Sequence, residues 1–165
     1  MAQNKQNNFA FIDGNNLYLG AKDQNIELDY GKFRKYLRSK YHVKKAFLFI
    51  GYTQDNTELY SELQKNGFIL IFKPTIPYVD KATGKKTMKG NVDAELVLHA
   101  SAVEYEKYDE AILVTGDGDF ACLVKFLQER EKLCKVITPT QKYSKLLKPF
   151  VKFILPLNKI KGNIS

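Results

Sequence analysis

The sequence predicts an α/β fold in which βαβ units build a parallel sheet. Short apolar runs recur along the chain, and stretches with helical spacing of apolar residues separate them. Two of these runs break directly into glycine and aspartate, as buried parallel strands do where they deliver carboxylates to the edge of a sheet. A chain of 165 residues has the size of one domain. We expect that domain at residues 9–156, with polar tails at 1–8 and 157–165.

Six apolar runs are predicted to be strands, because each is short and most are bounded by polar or turn-forming residues. They are Phe9 to Ile12, Ala46 to Ile50, Phe68 to Phe72, Ala111 to Val114, Leu133 to Ile137 and Phe150 to Leu155. The last run ends at Pro156, which cannot continue a central strand.

The stretches between these runs are predicted to be helices. Tyr30, Phe33, Leu37 and Tyr41 recur at helical spacing with Lys and Arg between them, which indicates an amphipathic helix facing the core. Further helices are predicted at Glu58 to Lys65, Val92 to Tyr105, Phe120 to Leu127 and, as a short one, Tyr143 to Leu147.

One long connection, from Lys73 to Asn91, interrupts this alternation. Long connections in compact domains are usually functional or disordered. This one carries five lysines against the single acid Asp80: Lys73, Lys81, Lys85, Lys86 and Lys89. We interpret it as an arm that grips phosphates. A solvated, flexible hairpin explains the composition equally well.

The formal net charge of +8 comes from 26 Lys and Arg against 18 Asp and Glu. Such an excess favours an anionic partner such as nucleic acid, although many basic proteins are merely soluble. The polar opening residues lack the apolar stretch of a secretory signal, and no later apolar run approaches the length that spans a bilayer. We therefore expect a cytoplasmic protein with no membrane association.

Four aspartates fall where a predicted strand ends or a predicted helix begins: Asp13, Asp93, Asp117 and Asp119. Ligands of open α/β sheets bind outside the carboxyl ends of the strands, so these acids can converge although they are distant in sequence. Crowded carboxylates repel one another, and a hard cation relieves that repulsion. Oxygen ligands without Cys or His favour Mg²⁺ or Mn²⁺ over zinc.

Three of these acids also have a purely structural interpretation. Asp13 precedes Gly14, a common turn dipeptide, Asp93 would lie in a first helical turn where the dipole favours an acid, and Asp119 would suit an N-cap. Asp117 offers no such alternative, and the glycines on either side of it permit tight bends and close approach of a ligand. The coincidence of four such acids in one domain favours a site.

Three motifs containing these acids resemble the signature blocks of NYN domains, a family of PIN-like ribonucleases. They are Phe11-Ile-Asp13-Gly-Asn-Asn16-Leu, Lys89-Gly-Asn-Val-Asp93-Ala-Glu-Leu, and Val114-Thr-Gly-Asp117-Gly-Asp119-Phe. The resemblance extends from about Phe9 to about Leu155. It implies a three-layer α/β/α PIN-like (Rossmann-like) fold with a central, mainly parallel sheet of about five or six strands.

The resemblance also implies roles for the acids. Asp13, Asp93 and Asp117 would be catalytic metal ligands, and Asp119 would be a further ligand or would contact one. Asn16 would help to position substrate. The chain departs from the family pattern at His99, where an Asp often stands six residues after the helix acid. Six residues along a helix faces away from the first position, so we expect His99 outside the ligand set, packed and hydrogen-bonded.

The function predicted from these features is a ribonuclease that uses Mg²⁺ or Mn²⁺ to hydrolyse phosphodiester bonds, as an endonuclease rather than an exonuclease. Single-stranded or looped RNA fits a cleft at a sheet edge better than a duplex. Lys89, at the end of the basic connection, is the preferred group for neutralising the scissile phosphate. The predicted substrate-binding residues are Asn16, Lys73, Lys85, Lys86, Lys89 and Thr115.

Two alternatives remain open at this point. A module of the same fold could bind RNA and cleave it weakly or not at all, particularly if the acid replaced by His99 is essential. A phosphatase of the haloacid-dehalogenase type is less favoured, because it requires Asp-x-Asp and this chain has Asn15 at the second position. Pairing of two chains into a homodimer is possible on this sequence.

Overall fold

A computed structural model describes residues 6–52, 54–74, 76–89 and 92–165, apart from the side chains of 74, 76–78 and 86–89. The described residues form eight strands. They are β1 (Asn8–Asp13), β2 (Val43–Tyr52), β3 (Phe68–Pro74), β4 (Ile76–Val79), β5 (Lys86–Lys89), β6 (Ala111–Val114), β7 (Leu133–Thr138) and β8 (Ile154–Pro156). Within the described part of the chain, no helix has the length and apolar character needed to cross a membrane.

Six of the strands form one parallel sheet in the order β3-β2-β1-β6-β7-β8. The chain therefore moves outward from β1 to one edge and then returns to the centre, where β6 pairs with β1 and the order runs outward to the other edge. A crevice forms outside the carboxyl ends of the strands at such a reversal. The carboxyl ends of β1 and β6 are therefore the expected location of a ligand-binding crevice.

Helices cover both faces of this sheet. The α-helices are α1 (Gly14–Asp23), α2 (Tyr30–Tyr41), α3 (Thr57–Lys65), α4 (Asp93–Leu98), α5 (Ala121–Glu129) and α6 (Lys161–Ile164). One apolar cluster joins one face of the sheet to α1, α2, α3 and α6, and a second joins the other face to α4, α5 and the segment after β7. The predicted three-layer α/β fold with a parallel six-stranded sheet is confirmed.

Side-chain alternation along β1 assigns its residues to the two faces. Ala10 and Ile12 belong to the α1 and α2 side, whereas Phe9 and Phe11 belong to the α4 and α5 side. The ring of Phe11 stacks on that of Phe47, with centroids 5.5 Å apart. Because successive residues of a strand point to opposite faces, Asp13 follows Phe9 and Phe11 toward the layer that contains α4.

Some helical segments were not indicated by the sequence pattern, and the longest are α1 and residues 157–165. Helix α1 begins directly after β1. Asparagines and glycines interrupt the apolar residues of this stretch, so its helical spacing is not evident in the sequence. At the other end, residues 157–165, which we expected to be a polar tail, form a 3₁₀ turn and α6. Leu157, Ile160 and Ile164 are buried there. Burial of these three side chains against α2 explains why this end is packed rather than solvated.

Two predicted elements differ in form from those observed. The helix expected from Val92 to Tyr105 is α only as far as Leu98 and continues as a π-helical turn, His99–Val103. The strand expected from Phe150 to Leu155 is confined to β8. Two 3₁₀ helices that meet at a kink at Phe150, within Lys145–Phe153, occupy the preceding residues. The first contains Pro149, which has no N–H for a sheet ladder.

The long basic connection contains a hairpin. Strands β4 and β5 pair antiparallel, with Ile76 opposite Lys89 and Val79 opposite Lys86. A tight turn at Asp80–Lys85 closes it, with the amide of Gly84 donating to the carbonyl of Asp80. The backbone of this connection is therefore a hairpin, as one of the two interpretations stated. The phosphate-binding role of its lysines stays a prediction.

Arg34 provides a test of what holds α2 to the sheet. Its guanidinium is buried and donates to the carbonyls of Val43, Lys44 and Gly67 at 3.1, 3.1 and 3.3 Å. Replacing Arg34 with Met would leave these carbonyls without that donor, so we expect the free energy of unfolding to fall by about 2–4 kcal/mol. Urea denaturation measures this. The exposed Arg38→Met variant is the control and should change stability by less than about 0.5 kcal/mol.

Candidate metal site

Asp13 is the last residue of β1 and the N-cap of α1. Its Oδ1 accepts a hydrogen bond from the backbone N–H of Asn16 at 3.2 Å. The next residue must be small, because a Cβ on Gly14 would collide with the side chain of Ile50 and lie 3.0 Å from the carbonyl oxygen of Phe49. Gly14 therefore lets the helix begin immediately at the sheet edge, which fixes the Asp13 carboxylate there. The cap uses only one of its two oxygens.

The surroundings of Asp13 hinder the ionisation of its carboxyl. Burial raises the pKa of its carboxyl from 3.8 to about 6, although the hydrogen bond from Asn16 opposes that rise. The negative charges of Asp93 and Asp117 raise the pKa further. The structure thus brings three of the predicted ligands close enough to interact, from strand β1, helix α4 and the loop after β6.

Asp117 and Asp119 lie in the loop that follows β6. Asp117 caps a 3₁₀ turn, Gly118–Phe120, by accepting the N–H of Asp119 on Oδ1 at 2.9 Å. The capping role that the sequence suggested for Asp119 therefore belongs to Asp117. Thr115 also supports this loop. Its side chain is buried, with the residue 1% exposed, and its hydroxyl accepts the N–H of Asp117 at 3.1 Å. Because Thr115 is buried and bonded to this loop, we infer that it positions Asp117 rather than contacting substrate as predicted.

Asp93 begins α4, as the sequence indicated, and α4 packs against β1 and the 3₁₀ turn after β6. Carboxylate oxygens of Asp93, Asp117 and Asp119 lie within 4.8 Å of one another. Two ligands of one Mg²⁺, each at about 2.1 Å, can be at most about 4.2 Å apart, so small rotations bring this set into range. The donor set is oxygen only, which suits Mg²⁺ or Mn²⁺.

Asn16 connects the two loops that carry the acids. Its Oδ1 accepts the backbone N–H of Gly116 at 2.9 Å, and its own N–H donates to Asp13. One residue of α1 therefore sets the position of the loop after β6 relative to the end of β1. The role of Asn16 toward substrate stays a prediction, but its structural role is to hold the acids in register.

This bridge leads to a prediction for the Asn16→Ala variant. Loss of the carboxamide removes the acceptor for Gly116 N–H and loosens the Asp117 loop, so we expect a stability loss of about 1 kcal/mol. Any metal-dependent cleavage should fall by roughly tenfold, because a misplaced ligand weakens the site. Chemical denaturation and cleavage rates measure the two effects. Exposed Asn15→Ala is the matched neighbour and should behave as wild type.

The predicted phosphate-binding lysines divide into two groups. Lys73, at the end of β3, lies 3.8 Å from Glu95 of α4, so its charge is partly compensated beside the acidic site. Lys85 is exposed in the hairpin turn. The side chains of Lys86 and Lys89 lie outside the described residues, and the phosphate contact assigned to Lys89 stays a prediction.

His99 follows α4 directly, at the start of the π-helical turn. Its ring packs on Phe47 and Phe49, with centroid distances of 6.3 and 5.4 Å. This agrees with the packed histidine that we expected. The hydrogen bond that we expected is not found at Nδ1, which is buried without a hydrogen-bond partner among the described residues.

Sequence reasoning missed the segment that supports the Asp117 loop from outside. The N–H of Ser144 donates to the carbonyl of Gly116 at 3.1 Å. The side chains of Ser144 and Leu146 also occupy the space that a Cβ on Gly118 would need. A glycine between two acids indicated a tight loop, but nothing in the local pattern indicated which distant segment packs on it.

Comparisons with known proteins agree with the fold. The family model of the NYN domain matches residues 9–155. Low amplitude and bright protein LabA from Synechococcus elongatus is 24% identical over 160 residues, which are 94% of this chain and 86% of LabA. A crystal structure of a protein of unknown function from Vibrio parahaemolyticus has a TM-score of 0.72 and 24% identity, covering 95% of this chain and 96% of that one. The last likeness shows the fold.

Proposed function

Because the chain belongs to the NYN domain family, we propose that it is a divalent-metal-dependent ribonuclease acting on single-stranded or looped RNA. NYN domains are nuclease-like domains of the PIN-like class and bind RNA. The resemblance noted in the three sequence motifs is thereby confirmed at the level of the family. The metal requirement, the cleavage reaction and the residues that perform it are our proposal.

One observation carries the proposal. Acids from three separate elements converge at the point where the strand order reverses, and Asp93, Asp117 and Asp119 present oxygens within 4.8 Å of one another. Burial raises the pKa of the Asp13 carboxyl, and the charges of Asp93 and Asp117 raise it further, so the convergence is unfavourable when no cation is bound. An arrangement that costs stability without a ligand is typical of a site built for a cation.

In the proposed reaction, Asp93, Asp117 and Asp119 would hold Mg²⁺ or Mn²⁺, with the Asp13 carboxylate close enough to interact with Asp93 and Asp117. The bound metal would supply activation of water and stabilisation of the leaving oxygen. Asn16 and Thr115 keep the Asp117 loop in place through their hydrogen bonds to Gly116 and Asp117. Basic side chains around the cleft would offset the charge of the RNA backbone, which the acids alone would repel.

The proposal is tested with a circular single-stranded RNA, which an exonuclease cannot attack. We expect linear and shorter products with Mn²⁺ and no products with EDTA. An intact circle at every metal concentration, with RNA still bound, would support the non-catalytic module instead. A phosphatase of the haloacid-dehalogenase type would leave the circle intact and hydrolyse p-nitrophenyl phosphate, so this monoester is the companion substrate.

A further inference from the structure

The positive charge of this chain is concentrated after Glu131. The residues that follow contain eight lysines and no aspartate or glutamate. Eight charges equal the formal net charge of +8, so the first 131 residues are balanced. An anionic partner that is attracted by the excess positive charge is therefore attracted to the part of the chain after Glu131.

Three of these lysines follow one another along the segment after β7, and we name them the lysine ridge: Lys142, Lys145 and Lys148. All three are exposed, and none makes a salt bridge to another described residue. Lys145 and Lys148 belong to the 3₁₀ helix after β7. Residues i and i+3 of such a helix share one row, about 6 Å apart along the axis, which is comparable to the spacing of phosphates in an extended strand.

The lysine ridge is continuous with the candidate metal site. Ser144, between two of its lysines, donates its N–H to Gly116 at 3.1 Å. Leu146 follows Lys145, and its Cδ1 lies 3.0 Å from where a Cβ on Gly118 would stand. The ridge backbone therefore rests directly on the loop that carries Asp117 and Asp119.

The ridge also exposes apolar surface. Leu146, between Lys145 and Lys148, is 63% exposed, whereas Leu147 is fully buried and anchors the segment to the core. Lysines interleaved with exposed apolar side chains offer contacts both to phosphates and to unstacked bases. A regular duplex presents its phosphates but not its base faces, so this mixed surface favours a single strand.

From this placement we propose that the lysine ridge is the track along which single-stranded RNA approaches the acids. The inference deepens the proposed ribonuclease function and rests on it. The track lies on the β7 side of the cleft, opposite the hairpin between β3 and α4. On the hairpin side, the charge of Lys73 is already partly compensated by Glu95 at 3.8 Å.

The test compares two double variants that remove the same charge from the same part of the chain. Lys145→Gln with Lys148→Gln changes the ridge. Lys159→Gln with Lys161→Gln changes exposed lysines near α6, which packs on α2 on the other face. Affinity for a labelled single-stranded oligoribonucleotide is measured by fluorescence anisotropy in EDTA over a range of salt, so binding is separated from cleavage.

We expect the ridge variant to bind RNA about tenfold more weakly. The slope of log affinity against log salt concentration should fall in magnitude by about 1.4, because each of the two lost phosphate contacts contributes about 0.7. The control variant should bind within about twofold of wild type. Equal losses in both variants would mean that net charge alone attracts RNA and would overturn the track. A ridge variant that binds normally but changes the sedimentation of the protein would also overturn it, in favour of pairing between chains.

The circular RNA assay separates this inference from the proposed function. If wild type binds through the ridge but leaves the circle intact with Mn²⁺, the ribonuclease is wrong while the RNA track stands. If wild type cuts the circle and the ridge variant binds and cuts it equally well, the track is wrong while the ribonuclease stands. Thermal melting checks that both double variants fold, which their exposed positions favour.

Discussion

Replacing Asp117 with Asn is expected to reduce metal-dependent RNA cleavage by about a thousandfold, equivalent to about 4 kcal/mol of transition-state stabilisation. Asn is close in shape and keeps an oxygen that can accept the N–H of Asp119, so the 3₁₀ turn should persist. What is lost is one negative charge from a cluster whose oxygens lie within 4.8 Å. Single-turnover cleavage of a labelled RNA with Mn²⁺ measures the effect.

The matched control is Asp23→Asn, which removes the same charge at the exposed end of α1. Its cleavage rate should equal that of wild type within about twofold. An Asp117→Asn variant that retained more than a tenth of the wild-type rate would contradict the role assigned to this carboxylate. Circular dichroism would show that both variants keep the helix content of the fold.

Replacing Asp13 with Asn is expected to stabilise the protein at pH 7 in EDTA while abolishing cleavage. The pKa of Asp13 is raised from 3.8 to about 6, so at pH 7 the folded state carries a charge that it disfavours. A shift of about two units corresponds to about 3 kcal/mol, and we expect a gain in the free energy of unfolding of about 2–3 kcal/mol. Asn removes the charge and keeps an acceptor for the N–H of Asn16.

The sign of this effect fixes its pH dependence. A carboxyl whose pKa is higher in the folded state stabilises the fold below the unfolded pKa, near 3.8, and that stabilisation is lost as pH rises through about 6. The advantage of Asp13→Asn should therefore be full above pH 7 and nearly absent at pH 4. Urea titrations at several pH values in EDTA measure it. An advantage independent of pH, or a less stable variant, would refute this account of Asp13.

The elements that the sequence predicted well are those with strong local signals. The strands around Phe11, Leu48, Leu70, Leu113 and Val136 are short buried runs, and the apolar spacing of α2 is regular. The acids were found because each stands where a periodic apolar pattern stops. Parallel topology then brings strand ends to one edge, so convergence followed from fold class alone.

The elements that were missed depend on distant contacts. Helix α1 begins in a polar stretch and is fixed by the Asp13 cap and by the contact of Gly14 with β2. Residues 157–165 are ordered only because Ile160 and Ile164 are buried in the cluster that includes α2. The bridge from Asn16 to Gly116 spans 100 positions, and no local pattern encodes it.

The central claim is that acids distant in sequence form one pocket that captures a divalent ion. A crystal soaked in Mn²⁺ and measured at the manganese absorption edge tests it most directly. We predict an anomalous peak among the carboxylates of Asp93, Asp117 and Asp119, and none in crystals of the Asp117→Asn variant. Absence of a peak at millimolar Mn²⁺ in the wild-type protein would contradict the metal site and the ribonuclease proposed from it.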